Sequence, residues 1–341
     1  MSKIRFIGSK TRISENILEV IGKPSSEGPR FVDGMCGSGA IAVEAAKKGW
    51  PIVINDFLKS SEIMTKSRLL SEEQVPFENL DGYSMAVSKL NEVEGVEDFF
   101  FKEYSESAGR PYFTDKNAMK IDGLRIEIAQ WKAENLITQH EGDLLIGDLM
   151  MSVNQVANTA GTYGCFMKNL QSNSKKQIQI QPRTLFPKRL NILSFNQDVA
   201  RLHHHIRPDD VVYLDPPYTK RQYAAYYHIL ETIAENSSPK VRGVTGLRDW
   251  KNQKSDFCYK RKALTAIVEL INGLRDAKKI YLSYSNTSHV PIDRLHDALG
   301  DLGFSEVKMH DLGEIADYTP SQKASENRSR VQEWLFEVQT R

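Results

Sequence analysis

The order of apolar and polar positions near the start of the chain predicts a strand, a helix and a second strand. Arg30-Phe31-Val32-Asp33 is a short, mostly apolar run, the alanine-rich run from Ala40 to Gly49 is typical of a helix, and Pro51-Ile52-Val53-Ile54 closes on Asn55-Asp56. Two strands joined by a helix form a βαβ unit, in which the strands run parallel. The pattern therefore predicts an α/β protein built on a parallel sheet covered by helices.

Three further apolar runs predict that the sheet continues late in the chain. Val211-Val212-Tyr213-Leu214 and Lys279-Ile280-Tyr281-Leu282-Ser283 are each followed by a loop and a helical pattern. The alternating run from Val331 to Val338 predicts a last strand. We expect the sheet to resume near residue 192 and the charged segment 235–262, which contains proline and glycine, to form a loop or hairpin.

The pattern changes between residues 60 and 190. Amphipathic helical patterns around Ser84–Leu90 and Asp122–Glu134 precede a stretch rich in Asn, Gln, Ser and Thr. A chain of 341 residues has room for a catalytic domain and a second module. We expect 1–60 and 190–341 to form the domain that carries the sheet, and 61–189 to form a smaller inserted domain.

The composition is that of a globular protein, with 40% hydrophobic and 26% charged residues. A membrane span and a signal peptide are both absent from the sequence, which predicts a cytoplasmic protein with no membrane partner. The three cysteines, Cys36, Cys165 and Cys258, are far apart and predict neither disulfides nor a zinc site. His203-His204-His205 has no second ligand pair at metal-binding spacing, so we expect no metal.

The formal net charge of +1 hides an uneven distribution of charge. No Asp or Glu occurs from Leu149 to Gln197, a segment that we call the basic stretch. Its cations are Lys168, Lys175, Lys176, Arg183, Lys188 and Arg189. A basic surface loop and a surface that neutralises phosphates both account for this pattern.

A glycine-rich turn follows the first predicted strand. Phe31-Val32-Asp33-Gly34-Met35-Cys36-Gly37-Ser38-Gly39 places bare backbone where a ligand can approach closely. Asp56 ends the next predicted strand, 23 residues after Asp33, where an acid can bind the two hydroxyls of a ribose. The turn therefore favours a nucleotide-like cofactor, and a purely structural turn is the alternative.

Asp215-Pro216-Pro217-Tyr218 follows the apolar run at 211–214 directly. Two prolines end the strand and fix the backbone. An aromatic amine is a poor nucleophile because its lone pair is delocalised into the ring. The Asp215 carboxylate and the Pro216 carbonyl can draw the lone pair out by accepting the two amine hydrogens. Where the amine belongs to a base flipped out of a nucleic-acid helix, Tyr218 can stack on that base. A proline turn with a solvated aspartate is the structural alternative.

Together these motifs resemble the Dam-like adenine-N6 DNA methyltransferases, and the resemblance covers both ends of the chain. In that family a lysine of an N-terminal motif contacts the methionine part of the cofactor. The segment from Arg5 to Ile13 is similar to that motif, which gives the role to Lys10. The resemblance implies a Rossmann-like methyltransferase sheet with helices on both faces, S-adenosylmethionine as cofactor, and target recognition in 61–189.

The resemblance also implies roles for individual residues. Asp33 would lie near the methionine amine, Asp56 on the ribose, and Asp198 on the adenine of the cofactor. The family usually has Glu-Pro-Phe where this chain has Asp33-Gly34-Met35, so the carboxylate is retained in a different loop. The implied cofactor-binding residues are Phe6, Lys10, Asp33, Gly34, Cys36, Gly37, Ser38, Gly39, Asp56 and Asp198, and the implied catalytic residues are Asp215, Pro216, Pro217 and Tyr218.

The motif order resembles the group of the family in which target recognition lies between the cofactor and catalytic halves. On this resemblance the cations of the basic stretch would contact phosphates, its Asn and Gln side chains would read base edges, and Lys220 and Arg221 would hold the strand. The implied activity is site-specific methylation of adenine N6 in a short sequence of double-stranded DNA, by base flipping and direct in-line transfer.

Other functions fit parts of the same pattern. RNA adenine-N6 and protein glutamine methyltransferases use related sites, but more often begin the motif with Asn and lack an inserted module of this size. A catalytically idle DNA-binding protein would not need the combination of Lys10, Asp33, Asp56 and Asp215. No cysteine follows a proline, which argues against cytosine-C5 chemistry. No nuclease motif is evident, so a cognate restriction endonuclease would be a separate protein.

Overall fold

A computed structural model describes residues 6–316 and 330–340, which form two compact units. The sheet unit consists of Gly8–Thr65, Leu190–Tyr223 and the described part of 253–341. The helical unit consists of residues 6 and 7, Lys66–Arg189 and Ala224–Asn252. Arg5, the first residue of the N-terminal motif, lies outside the described residues.

The described residues contain strands of two to eleven residues. They are β1 (Phe31–Asp33), β2 (Ile52–Asp56), β3 (Ile192–Asn196), β4 (Val211–Leu214), β5 (Val241–Arg242), β6 (Leu247–Arg248), β7 (Lys279–Ser285), β8 (Glu306–Ala316) and β9 (Arg330–Gln339).

The sheet unit is built on seven of these strands, in the order β3-β2-β1-β4-β7-β9-β8. The first five in that order are parallel, and β9 lies between β7 and β8, antiparallel to both. The predicted α/β class with a largely parallel sheet is confirmed, as are the resumption of the sheet at residue 192 and the late strand that contains Val331–Val338.

Helices flank this sheet and are the main regular elements of the helical unit. They are α1 (Ser14–Ile21), α2 (Pro24–Glu27), α3 (Ala40–Lys47), α4 (Lys59–Ser67), α5 (Tyr83–Glu92), α6 (Phe99–Tyr104), α7 (Asp115–Ala133), α8 (Gln139–Val156), α9 (Tyr223–Tyr226), α10 (His228–Ala234), α11 (Ala263–Gly273) and α12 (Ile292–Gly300). Short 3-10 helices include Lys10–Arg12 and Val199–His205.

The central strands are continuously apolar because they are buried on both faces. Every residue of β1 and β4 is buried. Val32, Val212 and Ile280 belong to one core with the apolar residues of α11 and α12. On β1, Phe31 alternates with Val32, and its ring centroid lies 5.8 Å from that of Trp50. This packing fixes the ends of the strands, where the candidate site lies.

Side-chain caps define the starts of the two long helices of the helical unit. The Thr114 side chain accepts a hydrogen bond from the backbone of Asn117 at the start of α7. Thr138 and Glu141 form a capping box at the start of α8, in which each side chain satisfies the other's backbone N–H. Because α8 is buried along most of its length and contacts α7 and α10, it is the core of this unit.

Most of the basic stretch, from residue 157 to 190, contains neither helix nor strand. Its backbone is held instead by side-chain amides from the helices. Asn117 on α7 bonds the backbone of Ser174, Lys176 and Ile178, and Asn91 on α5 makes a reciprocal pair with Ile180. Irregular backbone is thereby satisfied and fixed in place.

The predicted loop or hairpin at 235–262 contains the antiparallel pair β5–β6. From the sequence pattern we expected Ala224–Asn252 to belong to the sheet-bearing domain, whereas in the structure this segment packs with the helical unit. Tertiary hydrogen bonds explain the difference: the Tyr104 hydroxyl donates to the Gly246 carbonyl at 2.8 Å, and Arg125 Nη2 donates to the Ser237 carbonyl at 2.7 Å. Among the described residues, no helix has both the length and the apolarity to cross a bilayer.

Candidate active site

Three carboxylates lie at the carboxyl ends of adjacent parallel strands. Asp33 ends β1, Asp56 ends β2, and Asp215 follows β4 directly. In the strand order β3-β2-β1-β4, the chain runs outward from β1 through β2 to β3 and then returns past β1 to form β4 on its other side. The direction of the strand order therefore reverses at β1. Such a switch point opens a crevice at the strand ends, which is where open α/β sheets bind ligands.

The glycine-rich turn after β1 is tied to both neighbouring strands. The backbone N–H of Gly34 donates to the Tyr213 carbonyl at 2.9 Å, and that of Cys36 donates to the Asn55 carbonyl at 3.0 Å. The Gly37 N–H donates to Asp56 Oδ2 at 2.8 Å. Gly39, the N-cap of α3, has a φ of 76°, a left-handed conformation that favours glycine. The turn is therefore a fixed cradle of backbone rather than a loose loop.

Asp33 presents an unsatisfied acceptor inside this cradle. The residue is buried, and its Oδ1 has no hydrogen-bond partner among the described residues. Burial, followed by the charges of Asp215 and Asp56, raises the pKa of Asp33 to about 8. A buried carboxyl group with a free oxygen is ready to receive a donor or a cation.

Asn55 is a second unsatisfied group that the sequence analysis did not single out. Its Nδ2 donates to the carbonyls of Gly34 at 3.0 Å and Gln197 at 3.2 Å, while its buried Oδ1 has no partner among the described residues. Asp198 is exposed, and its side chain caps the following 3-10 helix by accepting from the Ala200 N–H. Asn55 thus links the turn after β1 to the segment that carries Asp198.

The Asp215-Pro216-Pro217-Tyr218 segment is held by its own backbone and by aromatic packing. The His289 N–H donates to the Tyr218 carbonyl at 3.0 Å. The Tyr218 ring meets the Tyr284 ring edge-on, with centroids 5.8 Å apart. Asp215 Oδ1 is buried and has no hydrogen-bond partner among the described residues. The segment therefore presents one carboxylate oxygen that accepts no hydrogen bond among the described residues, together with a fixed tyrosine ring.

Lys10 is buried beside the Asp215-Pro216-Pro217-Tyr218 segment rather than exposed on the surface. The residue is 4% exposed, and its Nζ lies 3.0 Å from Glu333 Oε2, 3.3 Å from the Tyr218 hydroxyl and 3.4 Å from Asp215 Oδ1. The Tyr218 hydroxyl in turn donates to Glu333 Oε1 at 3.3 Å. Glu333, on β9, is thus a further member of the site.

Burial and neighbouring charges together shift the pKa values of these groups. Burial raises the pKa of Asp215 to about 7, with Lys10 lowering the value and Glu333 raising it. Burial alone would lower the pKa of Lys10, but Asp215, Tyr218 and Glu333 hold it above its usual value, so the amine stays protonated. Burial also raises the pKa of Tyr218, whose hydroxyl remains a donor.

The remaining predicted cofactor residues fall in two places. Ser38 Oγ lies 3.1 Å from Ser9 Oγ, which connects the N-terminal motif to the glycine-rich turn within the sheet unit. Phe6 belongs to the helical unit, where its ring is buried and stacks on Tyr227 at a centroid distance of 4.5 Å.

The predicted DNA-binding cations also divide into groups. Lys168, Lys175, Lys176, Lys188 and Arg189 in the helical unit and Lys220 in the sheet unit are exposed. Arg221 is partly buried, and its carbonyl accepts from the Cys258 thiol. Arg183 differs from all of these, because its guanidinium lies inside the helical unit, 2.5 Å from Asp148 Oδ1 and 3.1 Å from Ser67 Oγ.

The histidine run makes ring contacts. His205 stacks on Phe195, and His203 lies against His204, each with centroids 3.9 Å apart. Within the part of the chain that the structure describes, no group of three or more His, Cys, Asp or Glu side chains could hold a metal ion.

A family model matches residues 6–297, which include both the glycine-rich turn and Asp215-Pro216-Pro217-Tyr218. That model describes the D12 class N6 adenine-specific DNA methyltransferases. The chain belongs to this family.

Several modification methylases are similar to this D12 class chain. Modification methylase StsI of Streptococcus sanguinis is 31% identical over 98% of the chain and 52% of its own length. Modification methylase LlaI of Lactococcus lactis subsp. lactis is 32% identical over 94% of the chain and 53% of its own length. Type II methyltransferase M.NlaIII of Neisseria lactamica is 28% identical over 88% and 89% respectively. The chain spans about half the length of the first two relatives and most of the third.

The D12 class motifs do not reveal every residue of the site. The signal for Asn55 was its place beside Asp56 at the end of a predicted strand. Glu333 stands in an alternating run, where an acidic residue is usually solvated. Its burial follows from the position of β9 between β7 and β8, which only the sheet order reveals.

Proposed function

We propose that this protein is a site-specific DNA methyltransferase that moves a methyl group from S-adenosylmethionine to N6 of adenine in double-stranded DNA. The observation that carries the proposal is the buried Oδ1 of Asp215, which accepts no hydrogen bond among the described residues and lies in the segment of the fixed Tyr218 ring, at the switch point of the sheet. An amine needs such an acceptor to become nucleophilic, and a base needs such a ring to stack on.

The residues at the end of β1 and β2 fit S-adenosylmethionine. Asp33 Oδ1 and Asn55 Oδ1 are buried acceptors without partners among the described residues, which suits the ammonium and hydroxyl donors of the cofactor. A Cβ on Gly39 would lie 2.8 Å from Thr65 Oγ1, so only glycine leaves this turn undistorted. We assign Asp33 to the methionine amine, Asp56 to the ribose, and Asp198 to the adenine.

When bound, the cofactor supplies an electrophilic methyl group on a sulfonium sulfur, which accepts the electron pair of the broken C–S bond as the amine lone pair forms the N–C bond. Asp215 and the Pro216 carbonyl hold the two amine hydrogens and so orient that lone pair in line. The amine must lose one proton, and a carboxyl group with a pKa of about 7 can accept it. Tyr218 stacks on the flipped base.

We assign target recognition to the inserted part of the helical unit, 66–189. Its exposed cations Lys168, Lys175, Lys176, Lys188 and Arg189 would contact phosphates of the duplex, with Lys220 and Arg221 beside the catalytic segment. The amides of Asn91 and Asn117 give this surface a fixed backbone, as sequence readout requires. Arg183 is assigned to the interior because of its pairing with Asp148.

The names of the relatives support a biological setting. StsI and LlaI are called modification methylases, and M.NlaIII a type II methyltransferase. We infer that this protein protects DNA in the cytoplasm against a restriction endonuclease carried on a separate chain. Protection of plasmid DNA methylated by this protein against a cognate nuclease would test that setting.

Transfer of labelled methyl groups from S-adenosylmethionine to duplex DNA, to RNA and to protein tests the activity. We expect label in duplex DNA, at adenine N6, with wild type and with the surface variant Lys47→Ala, and none with Asp215→Ala. Label in RNA or protein but not in DNA would favour an RNA adenine or protein glutamine methyltransferase. DNA binding without cofactor binding or transfer would favour an idle DNA-binding protein.

A further inference from the structure

The last strand brings a second carboxylate into the candidate active site. Glu333 on β9 is 1% exposed and is bonded through both oxygens, to Lys10 Nζ at 3.0 Å and to the Tyr218 hydroxyl at 3.3 Å. It belongs to neither the glycine-rich turn nor the catalytic segment. A buried carboxylate is unfavourable unless its charge and lone pairs are satisfied, and here Lys10 and the Tyr218 hydroxyl satisfy them.

Lys10 bonds its two carboxylate neighbours unequally. Its Nζ donates an aligned hydrogen bond to Glu333 at 3.0 Å, whereas its approach to Asp215 Oδ1, at 3.4 Å, is an ion-pair contact without hydrogen-bond geometry. Charge-assisted hydrogen bonds are short and directional. Two of the three ammonium N–H groups are thus directed at Glu333 Oε2 and at the Tyr218 hydroxyl, and Asp215 Oδ1 keeps its capacity to accept.

We propose that Glu333 is a positioning residue that draws the Lys10 ammonium away from Asp215 Oδ1 and so reserves that oxygen for the substrate amine. The proposal rests on the proposed function. Without the Glu333 carboxylate, Asp215 is the anion nearest to Lys10, and the ammonium donates to Oδ1 in competition with the amine. Tyr218 also loses the acceptor that its hydroxyl bonds, so its ring is held less firmly for stacking.

The groups that face Asp215 come from several elements. They are Lys10 from the N-terminal 3-10 helix, Asp33 from β1, Tyr213 from β4, Tyr218 from the catalytic segment and Glu333 from β9. Glu333 raises the pKa of Asp215 and Lys10 lowers it. Removing the negative charge at 333 therefore lowers the pKa of Asp215, and the acid limb of the rate profile moves to lower pH.

The test compares Glu333→Gln with wild type in steady-state methylation of duplex DNA between pH 5.5 and 9. We expect kcat at pH 8 to fall by about tenfold to a hundredfold, with KM for DNA changed less than about threefold, because the loss is one of orientation. We also expect the acid limb to move to lower pH by about one unit. Glu337→Gln, on the same strand with ion pairs to Lys279 and His310, is the matched control and should leave the limb in place.

The outcomes separate the two proposals. No label in DNA with wild type would refute the proposed function. If wild type methylates DNA, and Glu333→Gln has the same kcat and the same acid limb as wild type, the positioning role alone is overturned. If Glu333→Gln does not fold, Glu333→Asp decides: it keeps the charge but shortens the reach to Lys10, so kcat should fall while the limb stays. A kcat for Glu333→Asp within about twofold of wild type would contradict the proposal.

Discussion

At the residue scale, Asp33 should release a proton to the solvent when the cofactor binds. Its pKa of about 8 leaves it mostly protonated at pH 7, and a bound ammonium group would stabilise the carboxylate. Binding of S-adenosylmethionine at pH 7 is therefore expected to release up to about one proton. Calorimetric titration in buffers of different ionisation enthalpy measures this release directly.

The release has a defined pH dependence. Above about pH 9 the Asp33 carboxyl group is already ionised in the free protein, so the release should disappear there. Asp33→Asn should remove the release at pH 7 and weaken cofactor binding. A binding heat independent of the buffer at pH 7 for wild type would contradict the assignment of Asp33 to the methionine amine.

The roles of single residues were predictable where chemistry depends on a local motif. Asp215 and Asp33 follow apolar runs, and any parallel sheet brings such positions to one edge. The surroundings of Lys10 were not predictable, because Glu333 comes from the far end of the chain. The pairing of Arg183 with Asp148 was not predictable either, because Asp148 lies on α8, just before the acid-free stretch that contains Arg183.

At the element scale, the two ends of α3 carry glycines with positive φ but different surroundings. Gly39 has a φ of 76°, and a Cβ there would lie 3.0 Å from the Thr65 backbone, whereas Gly49 has a φ of 95° with nothing within 4 Å. Gly49→Ala should cost about 1 kcal/mol from backbone strain alone. Gly39→Ala should cost more, and should also weaken S-adenosylmethionine binding, because the turn must move.

Urea unfolding and equilibrium cofactor binding on both variants measure the two effects. The matched pair separates strain from crowding, since both substitutions add one methyl group at a left-handed position of the same helix. Equal losses of stability, with cofactor binding unchanged in Gly39→Ala, would show that the turn does not form the cofactor cradle.

Arg183 and Lys188 should behave oppositely, although they are five residues apart in the same basic stretch. Arg183→Ala leaves Asp148 as an unpaired buried carboxylate on α8, which should cost about 3–5 kcal/mol of stability. Lys188→Ala removes an exposed cation and should leave stability within about 0.5 kcal/mol while weakening DNA binding. Thermal unfolding together with a DNA-binding titration distinguishes them, and a stable Arg183→Ala would contradict the interior role.

The elements themselves were predictable to different extents. The buried strands β1 and β4 and the helix α5 show the expected apolar patterns, so their sequences indicate them. Helix α7 is only weakly amphipathic over its full length, because it buries Asp122 and Arg125 along with its apolar residues. The segment 224–252 could not be assigned to its unit, because long-range hydrogen bonds from α6 and α7 decide that placement. The basic stretch likewise owes its fixed course to Asn91 and Asn117, which are far from it in sequence.

At the scale of the whole molecule, a net charge of +1 conceals a surface that should bind DNA with strong salt dependence. Replacing Lys175, Lys176 and Lys188 together by alanine should lower the slope of log K against log salt by about two to three. Replacing Lys47, Lys48 and Lys102, exposed lysines outside the basic stretch, should leave the slope unchanged. Equal slopes for both triple variants would exclude the basic stretch from the DNA interface.

The contact between Lys10 and Glu333 joins positions 323 residues apart, and it forms only after β9 has entered between β7 and β8. We expect so long a loop to close late in folding, because its entropy must be lost before the contact is gained. The surroundings of Lys10 consequently depend on the complete sheet: while β9 is unplaced, its ammonium can reach Asp215 and the Tyr218 hydroxyl but not Glu333. A chain emerging from the ribosome should therefore lack this arrangement until its sheet is finished, so the proposed methyl transfer should require the complete fold.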